Sequence, residues 1–390
     1  MSKQVGRWMK RFFVCASVLL VMLMALHYFY TLPYVAKILI YGNDGFPDDY
    51  DIPVADIAAS PRPHPLPRSL DSRVVDILPQ FDGIDDAKQF LDTSDTTGLV
   101  VVAGGEVISE QYRRGRSAQT LERTYSVSKA VLSALIGVAL QDGLIQIDAP
   151  VTRYVPELAA RDENFSQILV GDLLNMRSGI AYTSGITFPF LNADDALLYY
   201  YHDFESIIIE HMTIAEPPGA FDYHQYNTAL LGLILRRVTG TTVADYLQSK
   251  LWTPLGAEFP AQWVTDAQGF EAMASGLHAT PMDLAKLGLL YLRGGQKDGH
   301  SLIPASWTAL SDADSATLEQ DTGSRPYRHG WWLVPQPTGA WDFSATGSYG
   351  QYVYISPESD VVIVRTGVSR GDWDDDQWIA LFSFIAARLR

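Results

Sequence analysis

The 390-residue chain is 47% hydrophobic and 19% charged, so it can bury a large core and lacks the composition of a disordered polymer. Lys3, Arg7, Lys10 and Arg11 precede the first acid; the formal charge is −16 overall and −20 beyond them, which repels phosphates and argues against nucleic acid or an anionic membrane surface as a ligand of the folded part. The single cysteine, Cys15, lies in an apolar run, and the eight histidines show no H-E-x-x-H spacing, which leaves no disulfide, cysteine nucleophile or recognisable metal motif for the rest of the chain.

Residues 12–30, FFVCASVLLVMLMALHYFY, follow the basic cluster. As a helix they would extend about 30 Å, the thickness of a hydrocarbon core. Positive charge on the near side places residues 1–31 as a cytoplasmic tail and single-pass inner-membrane anchor, with the remainder on the periplasmic side. A cleaved signal peptide is the rival reading, although no small-x-small site follows the run. Cys15 lies too early in it for a lipoprotein site. Residues 32–69 shift to Pro, Asp and small residues; SPRPHPLPRS at 60–69 predicts an extended spacer that forms neither helix nor paired strand.

The catalytic domain is expected over 70–390. GLVVVAGGEVISEQY at 98–112 predicts a hairpin turning at Gly104-Gly105. A helix follows from about Ser126 to Gln141, stopped by Gly143. Residues 145–320 read as a mainly helical subdomain, with a helix at 227–240 that starts on Asn227 and ends on Gly240. GWWLV, WDFSAT, GQYVYIS and VVIVRTG then read as successive strands, and residues 377–390 as an amphipathic helix. Strands from both ends around a helical block predict an α+β fold, one antiparallel sheet flanked by helices.

Ser126 and Lys129 in TYSVSKA (124–130) fall on one helical face. A serine hydroxyl needs a base to become nucleophilic, and a partly buried lysine can serve. Free N–H groups at a helix start favour the oxyanion that forms on attack. S-x-x-K alone also fits a capping serine and a solvated lysine. Its known companions are S-D-N and K-T-G.

Three further segments, LLNMRSGI (173–180), PPGAFDYHQYNTALLG (217–232) and ATGSYGQYVYISPESDVVIV (345–364), make the chain from about residue 70 resemble the class C β-lactamase-related serine hydrolases. Within them it is most similar to the 6-aminohexanoate-dimer hydrolase branch. The resemblance implies a β-lactamase/transpeptidase-like fold with Ser126 as nucleophile, Lys129 as its base and Tyr223 as a second acid/base. It also implies an oxyanion hole from the backbone N–H groups of Ser126 and Ser348. Substrate contacts are expected from Gln225, which replaces the family's asparagine in Y-x-N, and from Ala345, Thr346 and Gly347, which stand where K-T-G would. The implied reaction cleaves an amide or ester of a small molecule through an acyl-enzyme, without cofactor or metal. A β-lactamase or D-Ala-D-Ala carboxypeptidase is the nearest alternative, and a non-catalytic membrane-tethered binding or sensor protein is a further one. Alanine at 345 removes the cation that holds substrate carboxylates in the β-lactam branches, unless Arg365 or another base restores it. The loop 181–204 suggests an apolar pocket.

Overall fold

The structure is a computed structural model that describes residues 8, 12–21, 37, 52–184, 194–310 and 325–390. Residues 51–182 and 203–390 form one compact unit, and 1–50 with 183–202 the other. In the smaller unit, residues 12–21 are helical and exposed, and a helix spans Asp194–Tyr200. The Thr183 N–H donates to Asp194 Oδ2 at 2.7 Å. Residues 22–30 of the expected anchor and 185–193 of the expected pocket loop lie outside the described residues. Among those described, no helix is long and apolar enough to cross a membrane.

The larger unit contains strands β1 (Val54–Ile57), β2 (Thr96–Ala103), β3 (Glu106–Tyr112), β4 (Glu122–Arg123), β5 (Ala261–Val264), β6 (Leu277–Ala279), β7 (Gln296–Lys297), β8 (His300–Ser301), β9 (Tyr327–Arg328), β10 (Trp331–Pro335), β11 (Trp341–Gly347), β12 (Gln351–Ser356) and β13 (Val361–Gly367). Its principal sheet is antiparallel in the order β3-β2-β13-β12-β11-β10-β9. The first hairpin turns as expected: Gly104 and Gly105 have φ of 60° and 83°, the paired left-handed residues of a tight hairpin. Four long helices matter here: α1 (Ser128–Gln141), α2 (Gln225–Thr239), α3 (Pro281–Leu292) and α4 (Asp375–Leu389).

β13 is buried along its whole length, because helices cover both faces of the sheet and every residue of VVIVRTG meets protein. On one face Trp378, Phe382 and Ile385 of α4 pack against Leu99, Val101, Tyr352, Tyr354 and Ile363. Truncating a buried ring there, Phe382→Ala, removes about 3–5 kcal/mol. On the other face α3 lies so close that a Cβ on Gly288 would stand 2.6 Å from Val362.

Two expectations need correction. The Pro-rich segment is not a free spacer beyond residue 51. β1 pairs with β5, and further on the Val107 N–H donates to Pro67 O at 2.8 Å and the Ser69 N–H to Val107 O at 2.9 Å. Proline lacks a donor, but its carbonyl still accepts. Nor is the sheet a single one: β5 and β6, from the block expected to be mainly helical, join β1 and β4 in a second sheet, ordered β1-β5-β6-β4. Strands of two to four residues are too short to display a period of two. The helix expected from Asn227 begins two residues earlier, at Gln225, and ends as expected with Gly240 left-handed at φ 67°.

Candidate active site

The approach to α1 is pinned to β6. Thr124 donates from both its N–H and its hydroxyl to Leu277 O, at 3.0 and 2.8 Å, and the Leu277 N–H donates to Ser128 Oγ at 3.2 Å. Ser126 sits in the tight turn Tyr125–Val127 just ahead of α1, which starts at Ser128, two residues later than expected. Lys129 follows on the first turn of α1 and is only 3% exposed. Its Nζ donates to Ser126 Oγ at 2.9 Å and to Ala274 O at 3.0 Å. The loop carrying Ala274 is held by Glu271, which accepts from Arg236 at 2.7 Å and from the Ala244 N–H at 2.9 Å.

The Tyr223 ring centroid lies 5.0 Å from Lys129 Nζ. Tyr223 and Ser126 line a cavity of about 540 Å³, together with Trp332, Thr346, Gly347 and Ser348. Tyr226 is elsewhere: 1% exposed, it packs edge-on against Tyr182 with centroids 5.2 Å apart. Gln225 is the first residue of α2 and does not line the cavity. A buried amide follows two residues later at Asn227, whose Nδ2 lies 3.1 Å from His224 Nε2. Sequence reasoning missed His224, a buried imidazole stacked on Tyr182; burial, and then the charge of Lys129, lowers its pKa to about 4.

β11 brings Gly347 against the serine turn. A Cβ there would stand 2.5 Å from Thr124 O and 3.3 Å from Ser126 N, so only glycine allows this approach. Ala345 is a correction: it is 1% exposed and does not line the cavity, whereas Thr346 does. Successive strand residues face opposite ways, so Ala345 and Thr346 cannot both face substrate. Cations come instead from Arg325 and Arg370, on the same cavity wall as Asp375 and Asp376. They pair as Arg325–Asp376 at 2.6 Å and Arg370–Asp375 at 3.2 Å. Charged groups therefore share the cavity with its aromatic wall. Arg365 is no part of it, being a fully buried residue of β13.

Two tyrosines flanking the expected oxyanion donors have left-handed backbone, Tyr125 at φ 46° and Tyr349 at φ 61°. That conformation costs a non-glycine residue about 1–2 kcal/mol.

An antiparallel sheet under helices, with a serine and a buried lysine in contact at a helix head, defines the β-lactamase-fold class of serine hydrolases. The chain belongs to the beta-lactamase family, whose model matches residues 85–372. It is 30% identical over 321 residues to the 6-aminohexanoate-dimer hydrolase of Paenarthrobacter ureafaciens, covering 77% of this chain and 79% of that protein. It is also 28% identical over 179 residues to esterase EstB of Burkholderia gladioli, 40% of this chain and 44% of that one. Among solved structures, the "Putative 6-aminohexanoate-dimer hydrolase from Bacillus anthracis" superposes with a TM-score of 0.76 at 25% identity, covering 86% of this chain and 90% of its own.

Proposed function

We propose that this chain cleaves an ester or linear amide through an acyl-enzyme on Ser126. The observation that carries the reading is the 2.9 Å contact between Lys129 Nζ and Ser126 Oγ, at the edge of a cavity that Tyr223 also lines. With Lys129 neutral, the same contact runs from the serine hydroxyl to Nζ, and the lysine takes the proton as Oγ bonds to the substrate carbonyl carbon. The N–H groups of Ser126 and Ser348 donate hydrogen bonds to the oxyanion. Tyr223 hands a proton to the leaving amine or alcohol as its bond to carbon breaks. Water, losing its proton to the Tyr223 phenolate, then adds to the acyl carbon, and the bond from that carbon to Oγ breaks as Lys129 returns its proton to Oγ, which releases the acid and free Ser126. A serine-directed phosphonate tests this: Ser126 should be labelled in the wild type, and labelling that persists in Ser126→Ala overturns the assignment.

The relatives favour linear amides and esters as substrates. Arg325 and Arg370 favour a second reading, a β-lactam or peptide with a free carboxylate, since a charge-assisted contact contributes about 1.5–3 kcal/mol. A panel of neutral esters, carboxylated esters and a chromogenic cephalosporin separates the two by kcat/KM. Residues 12–30 are proposed as a membrane anchor, supported by their apolar length and the preceding basic cluster. Extraction of the full chain by carbonate alone would contradict it.

A further inference from the structure

The two N–H groups assigned to the oxyanion come from separate parts of the fold, a turn before α1 and the loop from β11 to β12. Where these meet, Gly347 leaves no side chain between them, since a Cβ would already stand 3.3 Å from Ser126 N. Immediately beside that contact, Tyr125 precedes Ser126 and Tyr349 follows Ser348. Their rings meet with centroids 5.1 Å apart and planes tilted by 46°. Both residues have left-handed backbone, at φ 46° and 61°, a conformation bulky side chains avoid unless their surroundings impose it. The backbone angles of Tyr125 orient the peptide that carries the Ser126 N–H. Tyr349 belongs to the three-residue loop that returns the chain from Gly347 to its partner Gln351.

We propose that the Tyr125–Tyr349 ring pair is a clasp that sets the spacing and aim of the Ser126 and Ser348 N–H groups, so that both tyrosines are positioning residues for the oxyanion. The proposal rests on the serine hydrolase reading above. It makes ring contact, and not the hydroxyls, the operative feature. It also makes the effect specific to the tetrahedral state, because ground-state binding does not need both donors aligned.

The test uses Tyr349→Phe, Tyr349→Leu and Tyr349→Gly in the full chain, with kcat and KM on a p-nitrophenyl ester and the Ki of a phenylboronate, which becomes a tetrahedral anion when Ser126 Oγ bonds to boron. Losing the ring should lower kcat about 10–100-fold, below the roughly 10²–10³-fold effect of deleting an oxyanion donor outright. KM should move less than threefold, and the boronate Ki should weaken by the same factor as kcat. Tyr349→Phe should recover kcat to within threefold of the wild type. Tyr349→Gly relieves the left-handed backbone while removing the ring, so a loss as large as that of Tyr349→Leu assigns the effect to ring contact in a folded protein. If Leu and Gly variants keep kcat and Ki within twofold while the wild-type Ser126 is labelled by phosphonate, the clasp is overturned and the hydrolase reading stands. If the wild type is not labelled, both fall.

Discussion

Two buried cations lie in different parts of this molecule, Arg365 within the sheet and Lys129 at the head of α1, and they are solvated by the protein in opposite ways. Arg365 is 0% exposed and directs its donors to Thr96 Oγ1 at 3.1 Å, Gly350 O at 2.5 Å, Ser94 O at 2.5 Å and Ser369 O at 2.9 Å. Its guanidinium also lies 4.1 Å from the Trp378 ring centroid. Burial lowers its pKa to about 10, so it stays charged at neutral pH. Lys129 has one carbonyl, one serine hydroxyl and the neighbouring Tyr223 ring. A cation whose donors end on carbonyls and a fixed hydroxyl is structural; one whose partner is a hydroxyl lining a cavity is placed to exchange a proton.

The contrast is sharpest in paired substitutions. Lys129→Ala should lower kcat by about 10³-fold or more while thermal unfolding stays near that of the wild type. Arg365→Met should do the reverse, costing about 3–5 kcal/mol in urea unfolding because its carbonyl partners are left without donors. Loss of stability in the first or of turnover alone in the second would break the distinction. Next in size, Tyr223→Phe should reduce kcat about 10²-fold, whereas Tyr226→Phe, outside the cavity, should change it less than fivefold.

A smaller effect concerns His329, which stacks on Trp307 with centroids 4.3 Å apart and whose pKa burial, then Arg328, lowers to about 3. The folded state binds this proton less readily than the unfolded state, so its contribution is lost as pH falls below the ordinary value of about 6.5, by about 2 kcal/mol at pH 5. Asp342 acts in the opposite sense: burial raises its carboxyl to about 6, so acid relieves a cost. Comparing the pH slope of urea-unfolding stability in wild type and His329→Asn isolates the histidine, and the variant should lose less between pH 7 and pH 5. The N-terminal segment gives a gentler comparison. A chain begun at residue 71 loses β1 and should melt several degrees below one begun at residue 51, as removal of a paired strand requires.

Much of this was legible in the sequence where the signal is local. Gly104-Gly105 between β-branched runs, Gly240 after a periodic helix and the strands of the C-terminal part each carry their own turn or cap chemistry. The serine and lysine spacing was legible for the same reason. The second sheet was not, because it assembles strands of two to four residues from positions as far apart as Val54 and Leu277. Arg325 and Arg370 were equally hidden: one lies just ahead of β9 and the other between β13 and α4, and they share the cavity of Ser126 with their partners Asp376 and Asp375 on the first turn of α4. Ala345 was a different failure, since strand alternation alone separates it from Thr346.

The central claim is that Ser126 carries the acyl group, and the most direct measurement is intact-protein mass spectrometry of the enzyme quenched in acid during turnover of a p-nitrophenyl ester, followed by peptide mapping. The account predicts an adduct equal to the acyl group on the peptide containing Ser126, absent from Ser126→Ala. Turnover with no acyl adduct, or with the adduct on another residue, would contradict it.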